Sequence, residues 1–346
     1  MINKNLVIWA SDLSQNTGEG ILARAFLNEM QKIKKYQNVK IVTMENNINI
    51  KNLNLNKIKF KEVNKKTIYH KYFGPIYGAL YLHLFSRKSE VLYLNYLPFW
   101  NFIIFLILPS KTILGPITGG IYNGPIDNLN LFIRKYFFPI FYSISKLIID
   151  KKFKKIILST RILKNYKKKD NSYLLNFVQI LFNKKSNYAN KEYDIIFYNR
   201  DHATKHSDSI KKILVYLSNY CRISVIGDKF NQGNVKNFGW IERDMAIKLI
   251  KKSKLAFSSA ENFLSIFCID CINNGTPIIY DKNIQILLKH KNKNYIAINF
   301  NNIKIASHAI LKLLPLIKEK KDIKWWNSIF IEKRRIRNYL LSYLPR

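Results

Sequence analysis

Three cysteines in 346 residues leave no material for a disulfide framework. Cys268 and Cys271 form one C-x-x-C without the second pair that a zinc site needs, so Cys221, Cys268 and Cys271 read as buried small hydrophobes in a reducing compartment. No internal repeat and no glycine-serine linker is present, which excludes a solenoid and flexibly tethered modules. No secretory leader opens the chain: Met1-Ile2-Asn3-Lys4-Asn5 runs directly into a strand, and a cytoplasmic location is expected. Acidic residues are few, 22 against 58 Lys and Arg, for a formal net charge of +36. Abundant Lys, Asn and Ile together suggest that AT-rich coding supplies part of that excess. Arginine is scarce and no nucleic-acid-binding module is recognisable, which argues against a nucleic-acid partner. One uncharged run, the 18 residues Val91 to Leu108, is long enough to raise a membrane span. Asn95 and Pro98 divide it, predicting a strand over Val91 to Tyr96 and a helix from near Pro98.

What is present is alternation. Strand and helix patterns follow one another throughout, predicting an α/β protein with doubly wound parallel sheets, and the length accommodates two such domains. The expected organisation is an N-terminal Rossmann-like domain over 1–185, a second over 190–322, and a terminal helical segment over 323–346. Trp325 to Leu344 reads as an amphipathic helix with three closely spaced arginines. In the first half, an apolar strand from Leu6 to Ser11 leads through Thr17-Gly18-Glu19-Gly20 into a helix from Ile21 to Lys35. A second strand, Thr112 to Gly115, runs into Pro116-Ile117-Thr118-Gly119-Gly120. None of the six histidines falls beside either glycine segment.

The second half carries the chemistry. A strand from Leu255 to Ser259 should deliver Glu261 to the carboxyl edge of a parallel sheet, where open α/β folds bind ligands. Ser265 and Ile266 should open a helix whose free amides favour a phosphate. Asp270 lies about a turn further in, where a carboxylate can accept hydrogen bonds from a ribose diol. Gly275 stops that helix and Pro277 prevents its resumption. Upstream, a strand from Tyr193 to Tyr198 leads to Arg200 and Lys205, two cations able to meet a diphosphate. An ordinary βαβ crossover with two solvated acids is the plain alternative for the Glu261 segment on its own.

Taken together, these segments resemble the retaining glycosyltransferases of family 4, which have the GT-B fold of two Rossmann-like domains facing across a cleft. The family signature is a Glu, seven intervening residues, a second Glu and a Gly-Thr-Pro-type turn. Glu261, the Ser265-Ile266 pair, Asp270 and Gly275-Thr276-Pro277 match it in order. Two departures exist: the second acid is Asp, and eight residues precede it. Arg200 and Lys205 match the family's Arg and Lys on the donor diphosphate. Asn237-Phe238-Gly239-Trp240-Ile241 is similar to its Gly-Trp-Val-like segment, so the resemblance spans the second half.

The resemblance implies a sugar transferred from a nucleoside-diphosphate donor to a hydroxyl of a lipid-linked or surface-glycan acceptor, with retention and without a metal or other cofactor. Arg200 and Lys205 would take the leaving-group charge, Glu261 the donor sugar hydroxyls, Ser265 and Ile266 the phosphate, and Asp270 the ribose. Gly18, Glu19 and Gly20, with Gly119 and Gly120, would form the acceptor and reaction-centre loops. The terminal helix would cross back to the first domain or simply cap its own. Two other functions stay open: a sugar-nucleotide epimerase or hydrolase of the same fold, and a non-catalytic docking subunit. For the net charge, an anionic membrane surface is the expected partner. Tyr69 to Lys88 and Leu131 to Lys155 interleave basic and aromatic residues, and Phe132, Tyr136, Phe137, Phe138, Phe141 and Tyr142 could supply apolar contact.

Overall fold

The computed structural model describes residues 5–15, 17–31, 38–44, 58–62, 70–119, 129–154, 156–158, 181, 190–200, 208–257, 265–282 and 295–317. The described residues divide into two compact units, the first over 5–158 and the second over 181–317.

Unit 1 is built on a seven-stranded parallel sheet. Its strands are β1 (Asn5–Ala10), β2 (Asn38–Thr43), β3 (Ile58–Glu62), β4 (Glu90–Tyr93), β5 (Leu97–Pro98), β6 (Ile113–Thr118) and β7 (Ile156–Leu158). They lie in the order β3-β2-β1-β4-β6-β5, with β7 also paired to β6. The helices are α1 (Gly18–Gln31), α2 (His70–Phe85), α3 (Phe102–Ile107) and α4 (Leu129–Lys152). Strand residues alternate between faces, and Val7, Trp9, Val91 and Tyr93 share one core with Leu82 of α2, Phe105 of α3 and Ile149 of α4. Those three helices therefore cover one side of the sheet, with α3 between α2 and α4.

Two predicted boundaries in unit 1 move. Pro98 does not open a helix. Leu97 and Pro98 pair with Ile117 and Thr118, Phe99 N donates to Thr118 O at 2.7 Å, and α3 starts at Phe102 with Asn101 as its cap. Pro116 likewise lies within β6 rather than in a loop after it. The sheet accommodates its missing N–H by a register shift between Leu114 and Pro116 in the pairing with β7. No helix among the described residues is long and apolar enough to cross a membrane.

Unit 2 repeats the architecture with β8 (Tyr193–Asn199), β9 (Ile223–Gly227), β10 (Val235–Asn237), β11 (Ser253–Phe257), β12 (Ile278–Asp281) and β13 (Tyr295–Ile298). The order is β10-β9-β8-β11-β12-β13, every pair parallel. Between the strands run α5 (Asp208–Leu217), α6 (Arg243–Lys251), α7 (Ile266–Asn273) and, after β13, α8 (Ile303–Leu313). Helix α7 begins and ends where the sequence predicts: Ser265 caps it, and Gly275 leaves it at φ +71°, a left-handed conformation that favours glycine. All three cysteines are free and buried. The segment 323–346 lies outside the described residues.

Candidate functional site

In a doubly wound sheet the chain leaves the central strands in opposite directions at one point, and the loops there splay apart. Unit 2 has that point between β8 and β11, and unit 1 has it between β1 and β4. The carboxyl ends of these strands are therefore where each unit can receive a ligand.

In unit 2, β8 ends at Asn199 and is followed by Arg200, which is exposed. Asn199 is 1% exposed. Its Nδ2 donates to Asp228 O at 3.0 Å, Asp228 N donates to Asn199 O at 2.9 Å, and its Oδ1 is buried without a hydrogen-bond partner. The loop after β9 is thus tied to the loop after β8. Gly227 N also donates to Gly239 O at 2.9 Å, and Trp240 Nε1 to Asp228 Oδ1 at 3.0 Å. The Trp240 ring meets Tyr198 edge-on at 6.1 Å, and Tyr198 in turn lies 5.8 Å from Phe267 in the first turn of α7. The edge is therefore one connected floor running from β9 through β8 to the start of α7. Ser265 Oγ accepts from Cys268 N at 3.2 Å, satisfying one amide of that start and leaving others for a ligand. Glu261 and Lys205 lie outside the described residues.

Asp270 is placed differently from a carboxylate turned to a ribose. It is 3% exposed, and Arg243 holds both its oxygens, Nη2 to Oδ1 at 2.6 Å and Nε to Oδ2 at 2.9 Å. Burial raises the Asp270 carboxyl above its ordinary range, and the guanidinium pulls against that. Burial lowers Arg243 and the carboxylate more than restores it, and the two-pronged contact has the geometry of a charge-assisted pair. Arg243 opens α6 and Asp270 lies within α7, so the fork joins two helices. Nothing in the spacing of the sequence pointed to Arg243; an Arg in a chain poor in them was the available signal.

In unit 1, Asp12 and Asn95 meet across the switch point. Asp12 N donates to Asn95 Oδ1 at 3.2 Å, and Asn95 Nδ2 to Asp12 O at 3.0 Å. The Asp12 carboxylate accepts from Ser14 N at 2.8 Å and from Thr17 Oγ1 at 2.6 Å. Thr17-Gly18-Glu19-Gly20 is not a loop ahead of the helix, since Gly18 to Gly20 already form the first turn of α1. Gly20 is glycine because its own chain fills the space: a Cβ there would come within 2.1 Å of Ser14 O and 2.8 Å of Asp12 Oδ1. It shapes the turn. Glu19 beside it is only partly buried, yet burial and then the Asp12 carboxylate push its pKa from 4.5 to about 7, against a hydrogen bond from the Tyr96 backbone. Tyr93 and Tyr96, both raised by burial and by the Glu19 charge, complete the surroundings. Gly119 follows β6 and abuts Phe99 and Tyr142; Gly120 lies outside the described residues. A cavity of 280 Å³ lined by Val7, Lys40, Phe85 and Ser89 opens at the amino ends of the strands, the edge opposite these loops.

No family model matches the chain, and no curated protein does. Solved structures match over nearly its whole length. A structure of TarM aligns with a TM-score of 0.62 at 12% identity, covering 99% of both chains. The chain has the GT-B fold. A glycosyltransferase from Rickettsia africae aligns at 0.56 and 13% identity, covering 99% of this chain and 95% of its own. Anabaena HepE, in complex with UDP and glucose, aligns at 0.56 and 10% identity over 98% of this chain and 96% of its own. At such identities the likeness is one of fold.

Proposed function

We propose that the protein is a GT-B glycosyltransferase that moves a sugar from a nucleoside diphosphate to a hydroxyl of a lipid-linked or surface-glycan acceptor. The observation that carries this is the carboxyl edge of unit 2, where an exposed Arg200 follows the central strand beside the capped start of α7. A nucleoside diphosphate needs that chemistry: a cation for charge that grows as the bond to the sugar breaks, and unpaired amides for phosphate oxygens. HepE, with UDP and glucose bound, lends the donor class.

Within this reading Arg200 and Lys205 stabilise the leaving diphosphate, Ser265 and Ile266 receive phosphate, and Glu261 holds the sugar hydroxyls. The Asp270 oxygens retain lone pairs beyond the Arg243 fork, so a ribose contact would be made by the pair rather than by a free acid. The acceptor belongs to unit 1, around Glu19, which can exchange a proton near neutrality. The family-4 signature supports retention of configuration, with the diphosphate charge met by side chains rather than by a metal. A lipid-linked acceptor would put the enzyme at the inner face of the cell membrane.

A thermal-shift screen of nucleoside diphosphates and their sugar conjugates tests the donor class. A specific ligand at a hundred times its Kd should stabilise the fold by about 2.7 kcal/mol. No stabilisation by any of them would sink the proposal. Product analysis with and without lipid-linked glycan then separates transfer from epimerisation or hydrolysis, neither of which needs an acceptor.

A further inference from the structure

Helices α2, α3 and α4 of unit 1 bury one side against the sheet, and a helix in that position ordinarily turns charge and polarity outward. These three do not. Of the 19 exposed large hydrophobics among the described residues, 14 lie on these helices or at Trp100 just before α3. On α2 the outward stripe is Phe73, Tyr77, Leu80 and Leu84, with Leu84 77% exposed. Ile103 and Leu106 continue it on α3, and on α4 it runs the length of the helix from Leu129 at 72% to Leu147 at 63%. The spacing of three and four residues keeps each stripe on one helix face. Because α3 neighbours both α2 and α4, the stripes join into one field. Singly exposed apolar side chains need no explanation, but a contiguous field of this many does.

Charge identifies the occupant. Helices α2 and α3 contain no Asp or Glu, and α4 has one acid, Asp150, against Arg134, Lys135, Lys146, Lys151 and Lys152. Arg134, Lys151 and Lys154 are exposed alongside the stripes, and Lys135 Nζ lies 6.0 Å from the Tyr136 ring. An apolar field set among cations suits a surface that is apolar beneath and anionic on top. A second copy of the chain would instead bring another +36 charges against the first. None of these helices can span a bilayer, so they would lie in its interface.

We propose that the α2–α3–α4 face of unit 1 is an interfacial docking surface for an anionic lipid bilayer, with the apolar stripes inserted and the α4 cations on the headgroups. It deepens the membrane part of the function proposed above and stands independently of the transfer chemistry, since the stripes are not part of either switch point.

The test is sedimentation of the full chain with vesicles of phosphatidylcholine alone and of phosphatidylcholine mixed equally with phosphatidylglycerol. The wild type should pellet with the mixed vesicles and far less with the neutral ones. Leu80→Glu, Leu84→Glu and Leu147→Glu, all at exposed positions and therefore compatible with folding, should each weaken binding about tenfold. Ile305→Glu and Leu316→Glu, exposed apolar positions of unit 2, should leave it unchanged. Circular dichroism and melting confirm that each variant is folded. Absence of wild-type binding to the mixed vesicles would overturn the proposal, and so would wild-type binding by the folded triple variant. A dimer in sedimentation velocity that the same triple variant dissolves, without vesicle binding, would reassign the face to self-association. Sugar transfer to a water-soluble acceptor reads the other proposal separately: transfer without vesicle binding defeats only this one.

Discussion

The two units share the order of their first four strands and differ in what their helices show to solvent. In both, the central strand is the first in sequence and the switch point lies between the first strand and the fourth. In unit 2, α5 buries Ile210, Ile213, Leu214 and Leu217 and leaves Asp208 and Lys212 outside. Among its described residues, five large hydrophobics are exposed. In unit 1, α2 and α4 carry apolar stripes on their outer faces as well as on the buried ones, α4 with cations alongside. One layout has thus been given two kinds of outer surface, one mostly polar and one striped with apolar side chains. The shared order of the central strands opens a switch point in each unit, while helix patterning decides what each outer face presents.

The sharpest way to break this comparison is at the unit 2 switch point. Arg200→Ala should lower turnover by roughly two to three orders of magnitude, comparable to losing one preorganised electrostatic donor. The protein should melt as the wild type does, because Arg200 is exposed. Unchanged turnover in steady-state assays would detach the switch point of unit 2 from catalysis.

Next in size is the buried fork. Asp270→Ala leaves Arg243 without its partner and should cost about 3 kcal/mol of unfolding free energy in denaturant titration. Replacing both residues by apolar ones should recover a good part of that loss. If Asp270 also meets a ribose, nucleoside diphosphate binding by calorimetry should stay weak in the folded double variant. Recovery of binding together with stability would make the fork purely structural.

Unit 1 should reveal itself through pH. The native pKa of Glu19, about 7, lies above its ordinary 4.5, so the native state binds more protons than the unfolded one between those values. Stability should therefore fall as pH rises through that window, by at most about 1.4 kcal/mol per unit, with the whole cost present above pH 7. Asp12, Tyr93 and Tyr96 face the same carboxyl, and the tyrosines stay neutral throughout the window. Glu19→Gln should flatten this part of the curve, and an unaltered slope would mean that Glu19 is hydrated and unperturbed.

The smallest effect is at the helix caps. Ser265→Ala removes the acceptor for Cys268 N and should cost about 1 kcal/mol. Asn101→Ala should cost less, since its bond to Ile104 N is 3.4 Å long and the helix has six residues. Equal melting shifts would show that helix length does not govern the cost.

Local signals in the sequence were reliable wherever the deciding interaction was local. The strand that starts at Tyr193, the helix start at Ser265 and the stop at Gly275 each depend on neighbours a few residues away. Pro98 and Pro116 misled because their partners lie in other strands: pairing across the sheet overrode the tendency of proline to punctuate. The Asp12–Asn95 tie and the Arg243–Asp270 fork were invisible for the same reason, being made between residues 83 and 27 apart. The basic and aromatic segments of unit 1 were visible, but their orientation was not. Phe132, Tyr136 and Phe137 face outward, while Phe138, Phe141 and Tyr142 turn onto Trp100, Phe102 and Phe99. Ile140, Ile144 and Leu147 of α4, with Leu80 and Leu84 of α2, complete the face and are aliphatic, so the aromatic pattern did not mark them. Lys205, Glu261 and Gly120 lie outside the described residues, so that part of the site stands on the sequence.

The strand order also has a consequence in time. Strand β1 leaves the ribosome first, but its neighbour β4 ends at Tyr93, so one side of the central strand waits for about eighty more residues. At roughly 5 to 20 residues per second that is on the order of ten seconds. The described strands of the first sheet are complete by Leu158, however, and those of the second begin only at Tyr193. Among the described residues neither sheet takes a strand from the other's part of the chain, so the first can close while the second is still being translated. The growing chain need shelter only one unfinished sheet at a time.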